Sequence, residues 1–353
     1  AMPDLKSELI AMIEAQGPLS IATFFTECLL HPKYGYYTTR DPFGAQGDFT
    51  TAPEISQMYG EMLGLFLAQT WHDQGNVAAF NLVELGPGRG TLMADILRAT
   101  RTIAGFHSAL QLHLIEASPT LHALQAETLS TFKPTWHTQL DTVPQGPLFL
   151  VANEFFDALP IRQFIRDGQQ WRERCVTVTE GDLTYALTEA APHATLADRL
   201  ADTKQGDLVE TCAPAQAIAQ EIGGRITQHG GVALIVDYGN RRSLGDTLQS
   251  LRSHHRVPPL LHPGLADLTA HVDFEALAKA SPSAHTRPTG QGVFLERLGI
   301  TPRANQLVKS LQGSALTSHI AAHRRLTHPS EMGTLFKAMG LFPASAPPPP
   351  GLD

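Results

Sequence analysis

The sequence predicts an α/β protein whose core is a doubly wound, mostly parallel sheet. Short apolar runs alternate with helical patterns from residue 77 to about 160, which is typical of βαβ units. Residues 231–239 form another apolar run with the composition of a buried strand, and Asp237 lies near its end. Between these regions the hydrophobic pattern takes a period of two, which predicts antiparallel strands inserted into the wound sheet.

These patterns divide the chain into consecutive segments. An N-terminal helical segment with a central loop covers residues 1–75, and the first part of the wound domain covers 76–160. The inserted antiparallel strands cover 161–212, and the remainder of the wound domain, with substrate-side insertions, covers 213–343. The proline-rich tail at 344–353 is expected to be loose.

Turn residues support the predicted insertion. Asp167-Gly168 and Gly181-Asp182 separate the period-two runs between residue 161 and about 190, as expected for hairpins. Residues 214–229 have a helical pattern, which leads the chain back to the wound sheet at residue 231.

Composition argues against several classes of protein. With 353 residues, 42% of them hydrophobic and 17% charged, the chain resembles an ordinary globular enzyme. A net charge of −8 without a long basic run argues against nucleic-acid binding, and no apolar run approaches the roughly 20 residues that span a bilayer. The three cysteines are far apart and no histidine pair has zinc-site spacing, so we predict no metal site.

The most informative segment is a buried-strand pattern that ends at Glu84 and runs into a glycine loop. Gly86, Gly88 and Gly90 stand on alternate positions, followed by a helical run. This spacing differs from the Gly-x-Gly-x-x-Gly that brings a helix N-terminus to a pyrophosphate. It suits a nucleoside ligand without phosphate, so S-adenosylmethionine and a methyltransferase are favoured, with a dinucleotide enzyme as the alternative.

A second short apolar run, residues 112–115, ends at Glu116. A carboxylate at this distance downstream can accept hydrogen bonds from both hydroxyls of a ribose. Alternatively, Glu116 only caps the helix that begins near Pro119, since Ser118 and Pro119 are favourable helix-start residues. The pairing with Glu84 and the glycines favours the ribose role.

Several segments together resemble the MidA-like family of class I S-adenosylmethionine-dependent methyltransferases. The most specific are Asn-Glu-Phe-Phe-Asp-Ala-Leu-Pro at 153–160 and Leu-Thr-Ala-His-Val-Asp-Phe at 268–274. The others lie at residues 47–54, 84–90, 237–239 and 331–333. The resemblance runs from about residue 17 to 341, nearly the whole chain.

The resemblance implies a seven-stranded methyltransferase sheet with an inserted α+β substrate subdomain. It also implies cofactor roles for Glu84, Gly86, Gly88 and Glu116. Mitochondrial members of the family are protein arginine methyltransferases that assist respiratory complex I assembly. A protein acceptor, such as a respiratory-complex subunit, is therefore expected, and its arginine guanidinium is the expected methyl-accepting group.

Methyl transfer to a guanidinium gives carboxylates a role. They can hold the guanidinium fork, keep its charge on the far nitrogens and accept the departing proton. Glu154 and Asp157 follow an apolar run that looks like the fourth wound strand, so they are candidates for acceptor binding or proton removal, with Asn153 nearer the cofactor. The alternative for both carboxylates is a purely structural role, such as ordering the loop or capping a helix.

Two further segments offer candidate residues. In the loop at 47–54, Gly47, Asp48 and Thr51 are candidates for cofactor contact in a lid, although Thr51 followed by Pro53 also suits a helix start. His271, before a helix predicted at 274–280, is a candidate base, with a loop-stabilising hydrogen bond as the alternative. Asp237 and Tyr238 either line the acceptor pocket, or Tyr238 packs beneath it.

Three functions follow from these observations. The leading one is a protein methyltransferase acting on arginine; the others are a small-molecule O- or N-methyltransferase and a cofactor-binding assembly factor without turnover. No Arg- and Ser-rich presequence is visible, so we expect a bacterial cytoplasmic protein, or a mitochondrial matrix protein whose presequence was removed. Apolar helices near the N-terminus suggest a homodimer.

Overall fold

A computed structural model describes residues 2–39 and 50–353 of the chain. Short 3₁₀ turns lie at Ser130–Phe132, Leu140–Thr142, Phe156–Ala158 and Ala194–Leu200. The α-helices in these ranges are α1 (Leu5–Gln16), α2 (Ile21–Leu30), α3 (Tyr36–Thr39), α4 (Ala52–Ile55), α5 (Gln57–Asp73), α6 (Thr91–Thr100), α7 (Phe106–Ala109), α8 (Pro119–Thr128), α9 (Ala213–His229), α10 (Phe274–Ala280), α11 (Gln291–Leu298), α12 (Ile300–Val308), α13 (Gly313–Thr327) and α14 (Met332–Leu335).

The strands belong to three sheets. In chain order they are β1 (Leu19–Ser20), β2 (Phe80–Leu85), β3 (Leu110–Ile115), β4 (Thr135–His137), β5 (Leu148–Asn153), β6 (Arg162–Asp167), β7 (Gln170–Thr179), β8 (Asp182–Leu187), β9 (Leu208–Thr211), β10 (Gly231–Asn240), β11 (Gln249–Arg252), β12 (His255–Val257), β13 (Asp267–Thr269), β14 (Val272–Asp273), β15 (Ala284–His285), β16 (Thr289–Gly290) and β17 (Phe336–Phe342).

The chain divides into two compact units, each assembled from separate stretches of sequence. Of the described residues, the first unit takes 2–39, 157–215 and 242–271, and the second takes 50–156, 216–241 and 272–353. Each compact unit therefore contains residues that are far apart in sequence. The predicted division of the chain into consecutive segments is a different kind of division and stays a prediction.

The first unit holds the predicted antiparallel strands. Its larger sheet has the order β1-β7-β6-β9, with β8 paired to β7. The turn between β6 and β7 contains Gly168 at φ +65°, and the turn between β7 and β8 contains Gly181 at φ +80°, so the expected hairpin turns are present. A second sheet, β12-β11-β13, belongs to the same unit.

The second unit is built on a mostly parallel sheet with the order β15-β17-β10-β5-β2-β3-β4, with β14 and β16 paired to β10 and β17. The five strands from β10 to β4 are parallel neighbours, whereas β17 runs antiparallel to β10. The chain moves outward from β2 in both directions, first to β3 and β4 and later to β5 and β10. The fold is the predicted α/β arrangement with a doubly wound, mostly parallel sheet, and its switch point lies between β2 and β5.

Helices α5 and α6 pack closely over the sheet because α5 carries two glycines on the contact face. A Cβ on Gly60 would lie 2.4 Å from Asp95 Cβ, and one on Gly64 would lie 3.1 Å from the Ile96 carbonyl oxygen. Phe80 and Leu82 of β2 belong to the same core cluster as both helices. Side chains alternate along a strand, so Glu84 lies on this same face of the sheet.

The C-terminal tail is packed, and the expectation that residues 344–353 are loose is wrong. Leu352 is buried within the core cluster of the second unit. The Arg287 N–H donates to the Asp353 carbonyl oxygen at 2.7 Å, and a Cβ on Gly340 would contact Leu352 and Pro349. Proline content misled the prediction, since prolines that cannot continue a strand still fill apolar surface.

Among residues 2–39 and 50–353, no helix combines the length and apolar character needed to cross a membrane.

Candidate active site

The candidate site lies at the switch point of the parallel sheet. Leu85 at the end of β2 pairs with Ile115 of β3 on one side and Ala152 of β5 on the other. The residues that follow these three strands therefore emerge at one edge of the sheet. In open α/β sheets ligands bind in the crevice at this edge.

The loop after β2 has a backbone that depends on glycine. Gly86, Gly88 and Gly90 have φ values of +62°, +59° and +87°, in the left-handed region where side chains are strained. A Cβ on Gly86 would also lie 3.0 Å from Phe155 Cδ2. Only glycine adopts this loop backbone without strain, as expected where a backbone turn comes close to a ligand.

Glu84 is a buried carboxylate with an unused hydrogen-bonding atom. Its side chain is 2% exposed, and within the described part of the chain its Oε1 has no hydrogen-bond partner. Burial and, to a smaller extent, the charge of Glu116 raise the pKa of Glu84 to about 8. A buried polar atom without a hydrogen-bond partner costs free energy of folding. Such an atom is expected at a site where a bound ligand supplies the missing donor.

Glu116 follows β3 and is held by donors on both oxygens. Its Oε2 accepts from the Ser118 N–H at 3.1 Å, and its Oε1 accepts from Gln125 Nε2 at 2.9 Å. Burial raises the pKa of Glu116, and these hydrogen bonds oppose that rise. The helix cap of α8 is Ser118, whose Oγ accepts from the Leu121 N–H at 3.3 Å, so capping does not account for Glu116.

Asn153 is the last residue of β5, and Glu154 follows it. Glu154 has a φ of +52°, which is uncommon for a residue other than glycine, and within the described residues its buried Oε2 has no hydrogen-bond partner. Burial raises the pKa of Glu154 to about 7, against hydrogen bonds from the Ala52 N–H and the Asn153 side chain. Strained backbone and an unpaired carboxylate oxygen often occur together at functional sites.

Tyr59 of α5 is a site residue that the sequence pattern did not reveal. Its hydroxyl donates to Asn153 Oδ1 at 2.6 Å, and its ring is fully buried. Burial raises its pKa well above the usual value, and the charges of Glu154, Asp237 and Glu84 add to the rise. Carboxyl groups from β2, from the residue after β5 and from β10 therefore lie near one phenol.

Asp237 of β10 is fully buried, and its Oδ1 accepts from the Tyr238 N–H at 3.0 Å. The Tyr238 ring packs edge-on against Phe336 with centroids 5.3 Å apart, inside the core cluster. Of the two alternatives for this pair, packing describes Tyr238, whereas Asp237 belongs to the carboxylate group around Tyr59.

The predicted lid is only partly described. Gly47 and Asp48 lie outside the described residues. Thr51 is buried and is the N-cap residue of α4, so the expected helix start is present, although its side chain makes no capping hydrogen bond. The N–H of the next residue, Ala52, bonds to the Glu154 carboxylate, so this segment contributes directly to the site.

Asp157 and His271 belong to the first unit. Asp157 is buried, and its carbonyl oxygen accepts from the Ala270 N–H at 2.9 Å. The His271 N–H donates to Thr247 Oγ1 at 2.9 Å, and α10 begins at Phe274 as predicted. The segments that carry these two residues are therefore neighbours. Their roles in acceptor binding or proton removal stay predictions.

The polar groups at this edge of the sheet suit a nucleoside. In the part of the chain that the structure describes, no group of three or more His, Cys, Asp or Glu side chains could hold a metal ion. Glu116 could accept hydrogen bonds from ribose hydroxyls, Glu84 has an acceptor atom without a partner among the described residues, and the loop after β2 has a left-handed backbone that suits glycine. Fold and site together define a class I S-adenosylmethionine-dependent methyltransferase.

Comparison with known proteins supports this classification. The family described as S-adenosyl-L-methionine-dependent methyltransferase matches residues 62–290, and the chain belongs to it. Protein arginine methyltransferase NDUFAF7, mitochondrial, of Homo sapiens is 36% identical over 366 residues, which covers 95% of this chain and 82% of that protein. The protein of the same name from Danio rerio is 37% identical over 357 residues, covering 93% and 84%.

A solved structure carries the same arrangement of secondary structure. A Burkholderia thailandensis protein bound to S-adenosylhomocysteine superposes with a TM-score of 0.81 at 27% identity, covering 98% of this chain and 93% of that one. The methyl donor of the present enzyme is accordingly S-adenosylmethionine.

Proposed function

We propose that the protein transfers a methyl group from S-adenosylmethionine to an arginine guanidinium of a protein acceptor. The observation that carries this proposal is Glu154, the residue directly after β5, whose buried Oε2 has no hydrogen-bond partner among the described residues. The named relatives, which cover most of the chain, are protein arginine methyltransferases by name.

The charge of the site supports a cationic acceptor. Glu84, Glu154 and Asp237 all lie close enough to Tyr59 to raise its pKa. Burial raises the pKa of Glu84 and of Glu154, so ionising these groups costs free energy unless a cation is bound beside them. A guanidinium offers several N–H donors in a planar fork and thus suits more than one carboxylate.

When bound, S-adenosylmethionine supplies a methyl group already activated by its sulfonium. The proposed cofactor residues are Glu84, Gly86, Gly88, Glu116, Asn153 and Thr51. On the acceptor side, the Glu154 carboxylate orients one guanidinium nitrogen and takes its proton as the new N–C bond forms and the S–C bond breaks. Methylarginine and S-adenosylhomocysteine are the products, so charge and atoms balance. Asp157 and His271 are proposed to help bind the acceptor.

Paired peptides test the acceptor. Peptides that differ only by Arg→Lys are incubated with the enzyme and labelled S-adenosylmethionine, and the methylated residue is located by mass spectrometry. Labelled arginine peptides with unlabelled lysine peptides are expected. Label on lysine, or on no peptide while small phenols or carboxylates are methylated, would favour the small-molecule alternative. Binding of S-adenosylhomocysteine without turnover on any acceptor would favour the assembly factor.

Location and assembly are part of the proposal. Both named relatives are mitochondrial by name, which supports the mitochondrial alternative; the cytoplasmic expectation draws no support from them. Respiratory-complex subunits are the first protein acceptors to test. The homodimer stays a prediction, which light scattering can test.

A further inference from the structure

Gln125 on α8 is a fully buried amide in which both polar atoms are hydrogen-bonded. Its Nε2 donates to the Gly88 carbonyl oxygen at 2.8 Å and to Glu116 Oε1 at 2.9 Å. Its Oε1 accepts from the Trp136 indole N–H at 2.9 Å. One side chain thus joins the glycine loop after β2, the carboxylate after β3 and an indole on β4.

The chemistry of the partners determines the orientation of this amide. The Gly88 carbonyl and the Glu116 carboxylate can only accept, and the indole N–H can only donate. A flipped amide would place oxygen against two acceptors and nitrogen against a donor. No other neutral side chain of this length supplies two donors and one acceptor in one plane.

We infer that Gln125 is a positioning residue for the methyl donor. It holds the Glu116 carboxylate and the Gly88 peptide in a fixed mutual arrangement, so that the ribose acceptor and the glycine loop are positioned together. It acts through these two groups. The inference rests on the proposed cofactor role of Glu116 and extends it to a residue outside the motif.

The arrangement also explains why a carboxylate would not serve at position 125. The substitution Gln125→Glu would keep the shape of the side chain but place a second negative charge beside Glu116, at the distance now spanned by a hydrogen bond of 2.9 Å. Two carboxyl groups this close share a proton, and sharing is possible only when the pH is low enough to supply it.

The test is the affinity for S-adenosylhomocysteine of Gln125→Glu and wild type, measured by calorimetry from pH 5.5 to 8.5. The ratio of the two dissociation constants is expected to rise from about 3 at the acidic end to about 30–100 at the basic end. Steady-state kinetics at neutral pH should show a raised KM for S-adenosylmethionine with kcat within about 3-fold of wild type.

Two further variants make the result decisive. Glu127→Gln, an exposed substitution on the same helix, is the matched control and should bind like wild type. Glu116→Ala should lose most of its affinity; if it binds normally, the proposed site is wrong. If Glu116→Ala loses binding while the Gln125→Glu ratio is constant with pH, or kcat falls at unchanged KM, the inference about Gln125 is overturned.

Should Gln125→Glu not fold, Gln125→Asn carries the same test. Its amide is one methylene too short to reach both acceptors, so KM should rise about 10-fold at nearly constant kcat. A folded Gln125→Asn enzyme with unchanged KM would contradict the inference.

Discussion

At the scale of single residues, Glu154 combines features that stability alone does not favour. A left-handed glutamate with a buried, unpaired oxygen costs free energy through both backbone strain and desolvation. Because Glu154 lies after β5, beside the switch point, its unpaired oxygen is already positioned to accept a hydrogen bond from a cation or to take a proton.

Glu154→Gln is therefore expected to separate catalysis from cofactor binding. The amide keeps the size of the side chain but cannot take a proton, so kcat should fall about 10²- to 10⁴-fold. Because burial holds the pKa of Glu154 near 7, the wild-type rate should also decline as the pH is lowered through that value, where the carboxylate becomes protonated. Rates from pH 5.5 to 9 test both points. Normal turnover by the variant would exclude Glu154 as the base.

Gly86→Ala is expected to damage the site through the backbone and through packing. Alanine at φ +62° costs about 1–2 kcal/mol, and its Cβ would press on Phe155. Gly75→Ala is the matched control, since Gly75 has φ +96° with nothing near its Cβ. Thermal unfolding should show a lower melting temperature for both variants. Calorimetry should show a loss of S-adenosylhomocysteine affinity only for Gly86→Ala. Equal affinity in the two variants would contradict a role for the loop.

Sequence pattern reaches some of these residues and misses others. Glu84 and Glu116 were predictable because each ends an apolar run, and a strand end has a defined place in a wound sheet. Tyr59 and Gln125 were not, because each lies within a helix whose pattern shows only which side is buried. Their partners come from other strands, and only tertiary packing brings them together.

At the scale of elements, β2 places the Glu84 carboxyl group in a buried environment that disfavours its ionised form. The folded-state pKa of Glu84, about 8, lies above the ordinary value of 4.5. The stability associated with this group is therefore fully present below about pH 4.5 and is lost as the pH rises through about 8. Burial lowers the pKa of His113 on β3 to about 4, which has the opposite effect on stability.

Glu84→Gln should isolate the contribution of Glu84, since the effect of His113 is common to both proteins. Without ligand, the variant should gain melting temperature relative to wild type as the pH rises from 5 to 8.5, because the amide has no charge to desolvate. Differential scanning calorimetry at several pH values measures the gain. A difference that does not change with pH would show that Glu84 titrates normally in the folded protein.

The predicted elements that agree best with the structure are those with an unambiguous period. The hairpins at 161–190 and the buried strand from 231 were recognised because both strand pattern and turn residues were present. The tail was misjudged because its burial depends on Leu352 and Pro349 meeting Gly340 of β17, a contact without a local signal.

At the scale of the whole molecule, the two compact units give a spatial prediction for ligand binding. Glu84, the glycine loop, Glu116 and Gln125 all belong to the second unit. Hydrogen exchange with and without S-adenosylhomocysteine should show new protection at residues 84–90 and 113–125, because ordered groups open less often. Strands β6 to β9 of the first unit are the internal reference. Protection confined to those strands would place the ligand elsewhere.

The order of the strands along the chain has a consequence for folding during synthesis on the ribosome. Strand β10 ends at Asn240, whereas its antiparallel neighbour β17 begins only at Phe336. The nascent chain therefore carries β10 with an open hydrogen-bonding edge while about a hundred further residues are synthesised. A chain that is released before β17 is synthesised would keep this edge of β10 unpaired, and we expect chaperones and proteases to recognise it.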